Sequence, residues 1–166
     1  MKSDAILKQT LKTEPRLVDN GFYNWWYDAI VRHADLDPNN HVTNSVICSW
    51  FDDGRYTLLV HHLRPLMPAA DFLALGTVTI DFHQEVKLFH RPQIGTAILK
   101  LGRSSIVMGQ AIFCDRQCVA TATSVTIIAD GDTRRSKEMT GPQREALLPY
   151  ISCTNGLNWS SPRASG

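Results

Sequence analysis

No run of apolar residues in this chain approaches the length of a bilayer span, and its charge has almost no net sign, with 17 Lys and Arg set against 16 Asp and Glu. The first absence argues against a helix that crosses a membrane. The second removes any global field able to gather nucleic acid, an anionic membrane surface or another polyanion. Partner choice must therefore come from a local site. Four cysteines, Cys48, Cys114, Cys118 and Cys153, form no C-x-x-C pair and come with no matching histidine cluster. Neither a zinc knuckle nor a redox motif is indicated, no cofactor or metal is expected, and reduced thiols are the simpler account. Lys2, Asp4 and Lys8 leave no room for the apolar core of a secretory leader, so a cytoplasmic protein is expected.

What is present is enough for one domain. At 166 residues and 43% hydrophobic, the chain can bury a sizeable core but is short for two domains. Residues 1–20 are polar and aperiodic and read as a lead-in or frayed helix. Residues 21–153 read as the domain, and residues 154–166, small and polar, as a flexible tail.

Within the domain, the aromatic segment Phe22–Val31 fits a strand, because bulky and branched side chains suit a pleated, half-buried surface. Val46, Ile47, Trp50, Phe51, Leu58 and Leu59 then recur at the three- and four-residue steps of one helix face. Gly54 lies on that stripe and would let the helix approach a sheet closely. From about Phe72 to Ile128 the pattern alternates in strand fashion, with turn signals at His90–Pro92, Gly102–Ser104, Asp115–Gln117 and Asp130–Asp132. That spacing suits an antiparallel meander. Thr140 and Gln143 form a capping-box pattern ahead of a short closing helix.

The expected class is α+β: one long central helix wrapped by an antiparallel sheet of about five strands, since the helix stripe has only a sheet face to bury against. The sheet edges would stay open. Pairing with a second copy blunts them, which predicts a symmetric homodimer or a tetramer built from such dimers.

The segment Arg32-His-Ala-Asp-Leu-Asp37-Pro-Asn-Asn-His41-Val-Thr-Asn44, followed by Trp50-Phe-Asp-Asp-Gly-Arg55, carries a family signature. A second stretch agrees with it: Val78 to Val86, Gly95, Leu101 to Ser105, and Val119 to Ile127. Together these resemble the 4-hydroxybenzoyl-CoA thioesterase-like hotdog family over roughly residues 24–135. The resemblance implies a hotdog fold and hydrolysis of an acyl-CoA thioester, with Asp37 as the catalytic carboxylate. It places Asn44 where relatives carry an asparagine or histidine that orients water or substrate. It also implies coenzyme A contacts at the turn Arg103, Ser104 and Ser105. Asn40 stands where the family has glycine, although asparagine tolerates the left-handed backbone.

The residues themselves support that placement of Asp37. Its loop can fold the carboxylate toward the start of the apolar helix, where unpaired N–H groups favour negative charge and would keep it ionised. The same N–H groups can polarise a thioester carbonyl. A thiol leaves with a pKa near ~8.5, so no strong general acid is required. Direct attack and activation of water both stay open.

For Asn44, capping the helix competes with a catalytic role. For His41, loop support competes with substrate contact. Asp35 reads as a loop-ordering acceptor, and Asp52 as a partner for Arg55 one turn on. One basic residue in the Arg103–Ser105 turn is few for a nucleotide grip, and Arg91 or Lys100 are candidates for the missing charge. The alternatives are a thioesterase for acyl groups on acyl carrier protein and a non-catalytic acyl-CoA-binding hotdog protein.

Overall fold

The computed structural model of the chain describes residues 14–152. The expectations for residues 1–13, Cys153 and the tail 154–166 lie outside the described residues. The elements are β1 (Trp25–Asp28), helix α1 (Asn44–His62), β2 (Phe72–Phe82), β3 (Gln93–Leu101), β4 (Ser105–Cys114), β5 (Gln117–Ala129) and a short helix α2 (Gly141–Leu147).

Helix α1 buries the expected stripe, Ile47, Trp50, Phe51, Gly54, Leu58 and Leu59, with Val46 half-buried at its flank. Full burial of each large apolar side chain contributes about 1.5–3 kcal/mol. Gly54 sets the approach to the sheet: a Cβ there would stand 2.7 Å from Ile94 Cγ2 and 3.3 Å from both Gln110 Nε2 and Thr96 Oγ1. The sequence pattern did not reveal the buried polar knot beside it. Arg55 donates to Gln110 Oε1 at 3.1 Å, and Gln110 Nε2 donates to the Phe51 carbonyl and to Thr96 Oγ1 at 2.8 and 3.0 Å. Arg55 also pairs with Asp52, as the three-residue spacing suggested.

The five strands form one antiparallel sheet in the order β1-β3-β4-β5-β2. Only β3, β4 and β5 form a meander. After β2, residues 83–92 carry the chain across the end of the sheet, so β2 pairs with β5 at the far edge, Phe72 opposite Ala129 and Phe82 opposite Ala120. Alternation reports strands but not their neighbours, which is why the simple meander fails. One helix on one antiparallel sheet is nevertheless the expected hotdog arrangement.

The first strand is also shorter than expected. Asn20–Phe22 forms a 3-10 turn capped by Asp19, whose carboxylate accepts from the Gly21 amide, so pairing begins only at Trp25. Tyr23 leaves the strand to cover Gly95, where a Cβ would come 2.4 Å from the Tyr23 ring, and its hydroxyl donates to the Leu17 carbonyl at 2.6 Å. Leu17, Tyr23, Ala97, Ala111 and Phe113 pack together on the sheet face opposite the helix. Thus the last residues of the polar lead-in, including fully buried Leu17, are part of the packed structure. At the other end, the Thr140–Gln143 capping box starts α2 as the sequence indicates.

Candidate active site

Asp37 lies in a miniature hairpin between Leu36 and Val42, which bridge each other in antiparallel fashion. Asp37 N donates to the His41 carbonyl at 2.8 Å and Asn40 N to the Asp37 carbonyl at 3.0 Å. The loop closes because Asn40 adopts φ 61°, the left-handed conformation that asparagine tolerates. Two further bonds dock it: Val42 N to the Val86 carbonyl at 2.8 Å and Thr43 N to the Asp35 carbonyl at 2.9 Å.

Asp35 is the organiser of this loop. Its buried carboxylate takes the Arg32 amide at 2.8 Å and the Arg32 guanidinium at 2.7 Å. The guanidinium hydrogen bonds hold it below the ordinary carboxylate pKa, opposed in part by burial. Its lone pairs are committed to structure.

Asp37 is different, because its carboxylate faces open space. Its Oδ1 accepts from the amides of His41 at 3.0 Å and Asn39 at 2.8 Å, and these bonds, His41 first, lower its pKa. The reason is electrostatic: backbone donors stabilise the charged form. This corrects the expected cause. No hydrogen bond joins Asp37 to the amides of α1; its own loop keeps it ionised.

The start of the helix is nevertheless beside it. Asp37, His41, Asn44, Ile47, Phe82 and Glu85 all line one cleft of about 420 Å³. Asp37, Asn44 and His41, the three candidate catalytic residues, are thus brought together. Asn44 is not the helix cap. Thr43 occupies that position without a side-chain capping bond, and Asn44 is the first helical residue. His41 Nε2 lies 3.0 Å from Glu85 Oε2. His83, also on the cleft wall, places Nε2 2.9 Å from Thr121 Oγ1. Glu85 and His83 were quoted in the sequence signature without a role; only the path of residues 83–92 reveals that they face Asp37.

Arg103, Ser104 and Ser105 are not in this cleft. They form the β3–β4 turn, closed by Gly102 N to the Ser105 carbonyl at 2.7 Å, at the end of the sheet away from Gln93, Cys114 and Phe82. Ten residues of β4 span about 30 Å at ~3.3 Å per residue, so one protomer holds the two groups at opposite ends. Beside the turn, Ser136 bridges Ala129 and Met139 N donates to the Arg103 carbonyl, bringing Arg134 and Arg135 alongside. The sequence offered Lys100 or Arg91 for the missing charge. Arg91 instead lines a second cleft of about 800 Å³ with Phe89, His90 and Arg116. Among the described residues, no group of three His, Cys, Asp or Glu side chains is placed to hold a metal ion, and no helix is long and apolar enough to cross a membrane.

Residues 31–147, which contain the Asp37 loop, the helix and the whole sheet beyond β1, match the Thioesterase-like superfamily. The chain belongs to that superfamily. Its chemistry is accordingly that of a thioester hydrolase. Solved structures agree on the fold. The PA5185 protein of Pseudomonas aeruginosa superposes with a TM-score of 0.71 at 21% identity, over 80% of this chain and 94% of that one. A Thermus thermophilus thioesterase in complex with coenzyme A and zinc gives 0.70 at 21% identity, over 80% and 98%. A 1,4-dihydroxy-2-naphthoyl-CoA thioesterase from Synechocystis gives 0.66 at 17%, over 74% and 94%. Comparison with curated proteins by sequence finds no match.

Proposed function

We propose that the protein is a cytoplasmic acyl-CoA thioesterase that releases a free acid and coenzyme A, with Asp37 as the catalytic carboxylate. The observation that carries this reading is a carboxylate held ionised by two loop amides while it faces the same cleft as the first turn of α1. Asn44 and Ser45, as the first helical residues, have amides with no acceptor four residues back within the helix. A thioester carbonyl seated there would point its oxygen at those donors while its carbon meets Asp37 or a water held by Asp37.

In the water route, Asp37 takes a proton as the oxygen adds to the carbonyl carbon. The tetrahedral oxyanion then collapses, the C–S bond breaks, and the proton passes to the departing thiolate. In the direct route, the carboxylate oxygen adds instead, the C–S bond breaks to release the thiolate, and water opens the resulting mixed anhydride to give the free acid and restore the Asp37 carboxylate. Each oxyanion donor is typically worth ~10²–10³ in rate. His41, fixed by Glu85, and Asn44 are positioned to order the water or the acyl group. Support for a coenzyme A carrier comes from the thioesterase bound to coenzyme A that shares this fold, together with the Arg103–Ser105 turn.

The working unit in this reading is a symmetric dimer. Strand β2 is a long sheet edge, and Leu75, Val78 and Phe82 on it remain 47%, 42% and 44% exposed. Such an edge invites pairing. Free-thiol release from a panel of short, long and aryl acyl-CoAs and acyl carrier protein thioesters tests the activity. Turnover on an acyl-CoA is expected, and turnover on none of them would contradict it.

A further inference from the structure

The two most exposed large apolar side chains among the described residues, Phe89 at 91% and Ile30 at 81%, line the same cleft of about 800 Å³. Local structure holds both in place. Ala29 N donates to the Pro92 carbonyl at 2.9 Å, which ties the end of β1 to the start of β3, and His90 N donates to the Lys87 carbonyl at 3.0 Å, which closes the turn that presents Phe89. This cleft shares no lining residue with the Asp37 cleft, and it takes in the β1–β3 end of the sheet and the β4–β5 turn, not β2.

Around the apolar pair stand two guanidinium groups and two carboxylates, those of Arg91, Arg116, Asp28 and Asp115, all on exposed residues. None of the four forms an ion pair with another described residue, and Asp28 accepts only from the neutral Gln93 side-chain amide, at 3.0 Å. A patch with equal numbers of both signs has no net field to attract a polyanion or a polycation. It is complementary to itself. Under a two-fold axis each arginine can meet a carboxylate of a second copy while the apolar side chains meet at the centre.

The β4–β5 turn adds an independent observation. Asp115 and Arg116 form its two-residue loop between the paired residues Cys114 and Gln117, and they hold φ at 50° and 67°. Both positions of such a loop take left-handed backbone, which Asn-Gly adopts at low cost and an arginine adopts only with strain. The chain therefore keeps a strained residue where glycine would fold better, and the side chain it keeps lines the cleft. Asp115 and Arg116 contribute charge to the patch rather than stability to the turn.

We propose that the Ile30–Phe89 cleft is a second isologous interface through which two copies of this chain associate, with Phe89 as the central anchor and Arg91 and Arg116 facing the partner subunit's carboxylates. A partner of strong net charge does not fit a balanced patch, whereas a second copy supplies every contact from the same surface. The patch is smaller than the about 20–30 residues a side of a standard interface, so the contact forms at high protein concentration and joins β2-paired dimers into a tetramer. The contact itself depends neither on the catalytic reading nor on β2 pairing.

Sedimentation velocity over ~1–500 µM protein, a range that brackets weak association, tests the assignment. The parent should gain mass in a concentration-dependent step. Phe89→Glu should move the midpoint of that step about tenfold higher or more, because a central aromatic anchor carries much of the binding. The double variant Asp115→Asn, Arg116→Gly should raise Tm by relieving the turn and yet weaken association, two effects that a purely structural turn would not set against each other. In a Val78→Lys background, which removes β2 pairing, the step should persist as monomer to dimer and be lost on adding Phe89→Glu. A parent without the step, a midpoint that Phe89→Glu leaves unchanged, or a Val78→Lys chain that stays monomeric over the whole range would overturn the proposal.

Discussion

The His41 amide donates to Asp37 Oδ1 at 3.0 Å while the His41 ring is held by Glu85 at 3.0 Å, so one residue ties the candidate catalytic carboxylate to the far wall of its cleft. The amide bonds lower the Asp37 pKa below its ordinary value of ~3.9. If the ionised form is the active one, turnover is fully present above the ordinary range and is lost as pH falls through the lowered pKa. The acid limb of kcat/KM should therefore lie below about pH 4 in a stopped assay. A limb above pH 5 that disappears with Asp37→Asn would contradict this assignment.

The loop depends on Asn40 at φ 61°. Asn40→Gly should fold and turn over as the parent does, because glycine enters that conformation without strain. Asn40→Val should lower stability by about 1–2 kcal/mol and reduce kcat by displacing the Asn39 and His41 amides. Chemical denaturation and kinetics on the two variants check this directly.

A third expectation concerns the contact between helix and sheet. Gln110→Leu would leave the buried Arg55 guanidinium and the Phe51 carbonyl without their partner, at about 2–4 kcal/mol. Gly54→Ala would press a methyl group against Ile94 at 2.7 Å, with about 1–3 kcal/mol of overpacking strain. Urea midpoints at constant slope would report both losses.

Pairing through β2 predicts a dimer by analytical ultracentrifugation. Val78→Lys puts a charge on that edge and should shift the chain toward monomer, with loss of activity at the same dilution. A parent that sediments as a strict monomer would remove the dimer from the account.

Much of this was readable from the chain. The helix stripe and Gly54, the Asp52–Arg55 pair, the Thr140 cap, the left-handed Asn40 and the loop that presents Asp37 all depend on local spacing, and the structure contains each of them. What escaped depends on residues distant in sequence. The position of β2 beside β5 is a matter of long-range pairing, so neither the open edge nor the placement of Asp37 and Arg103 at opposite ends of the sheet could be read from alternation. Asn44 shows a subtler limit. Its residue type suits a cap, but the backbone turns one residue earlier, at Thr43. Glu85 reaches His41 across 43 intervening positions, and Met139 reaches the Arg103 carbonyl only because the chain doubles back after β5.

The most direct test of the central claim is thiol release by Asp37→Asn on whichever acyl-CoA the parent hydrolyses best. The substitution keeps the shape of the side chain and an oxygen for the Asn39 and His41 amides, but removes the charge. The account predicts a fall in kcat of about 10²–10⁴ with the fold and coenzyme A affinity retained. A kcat within a few-fold of the parent would contradict it, and the reactive group would have to be sought elsewhere in the cleft.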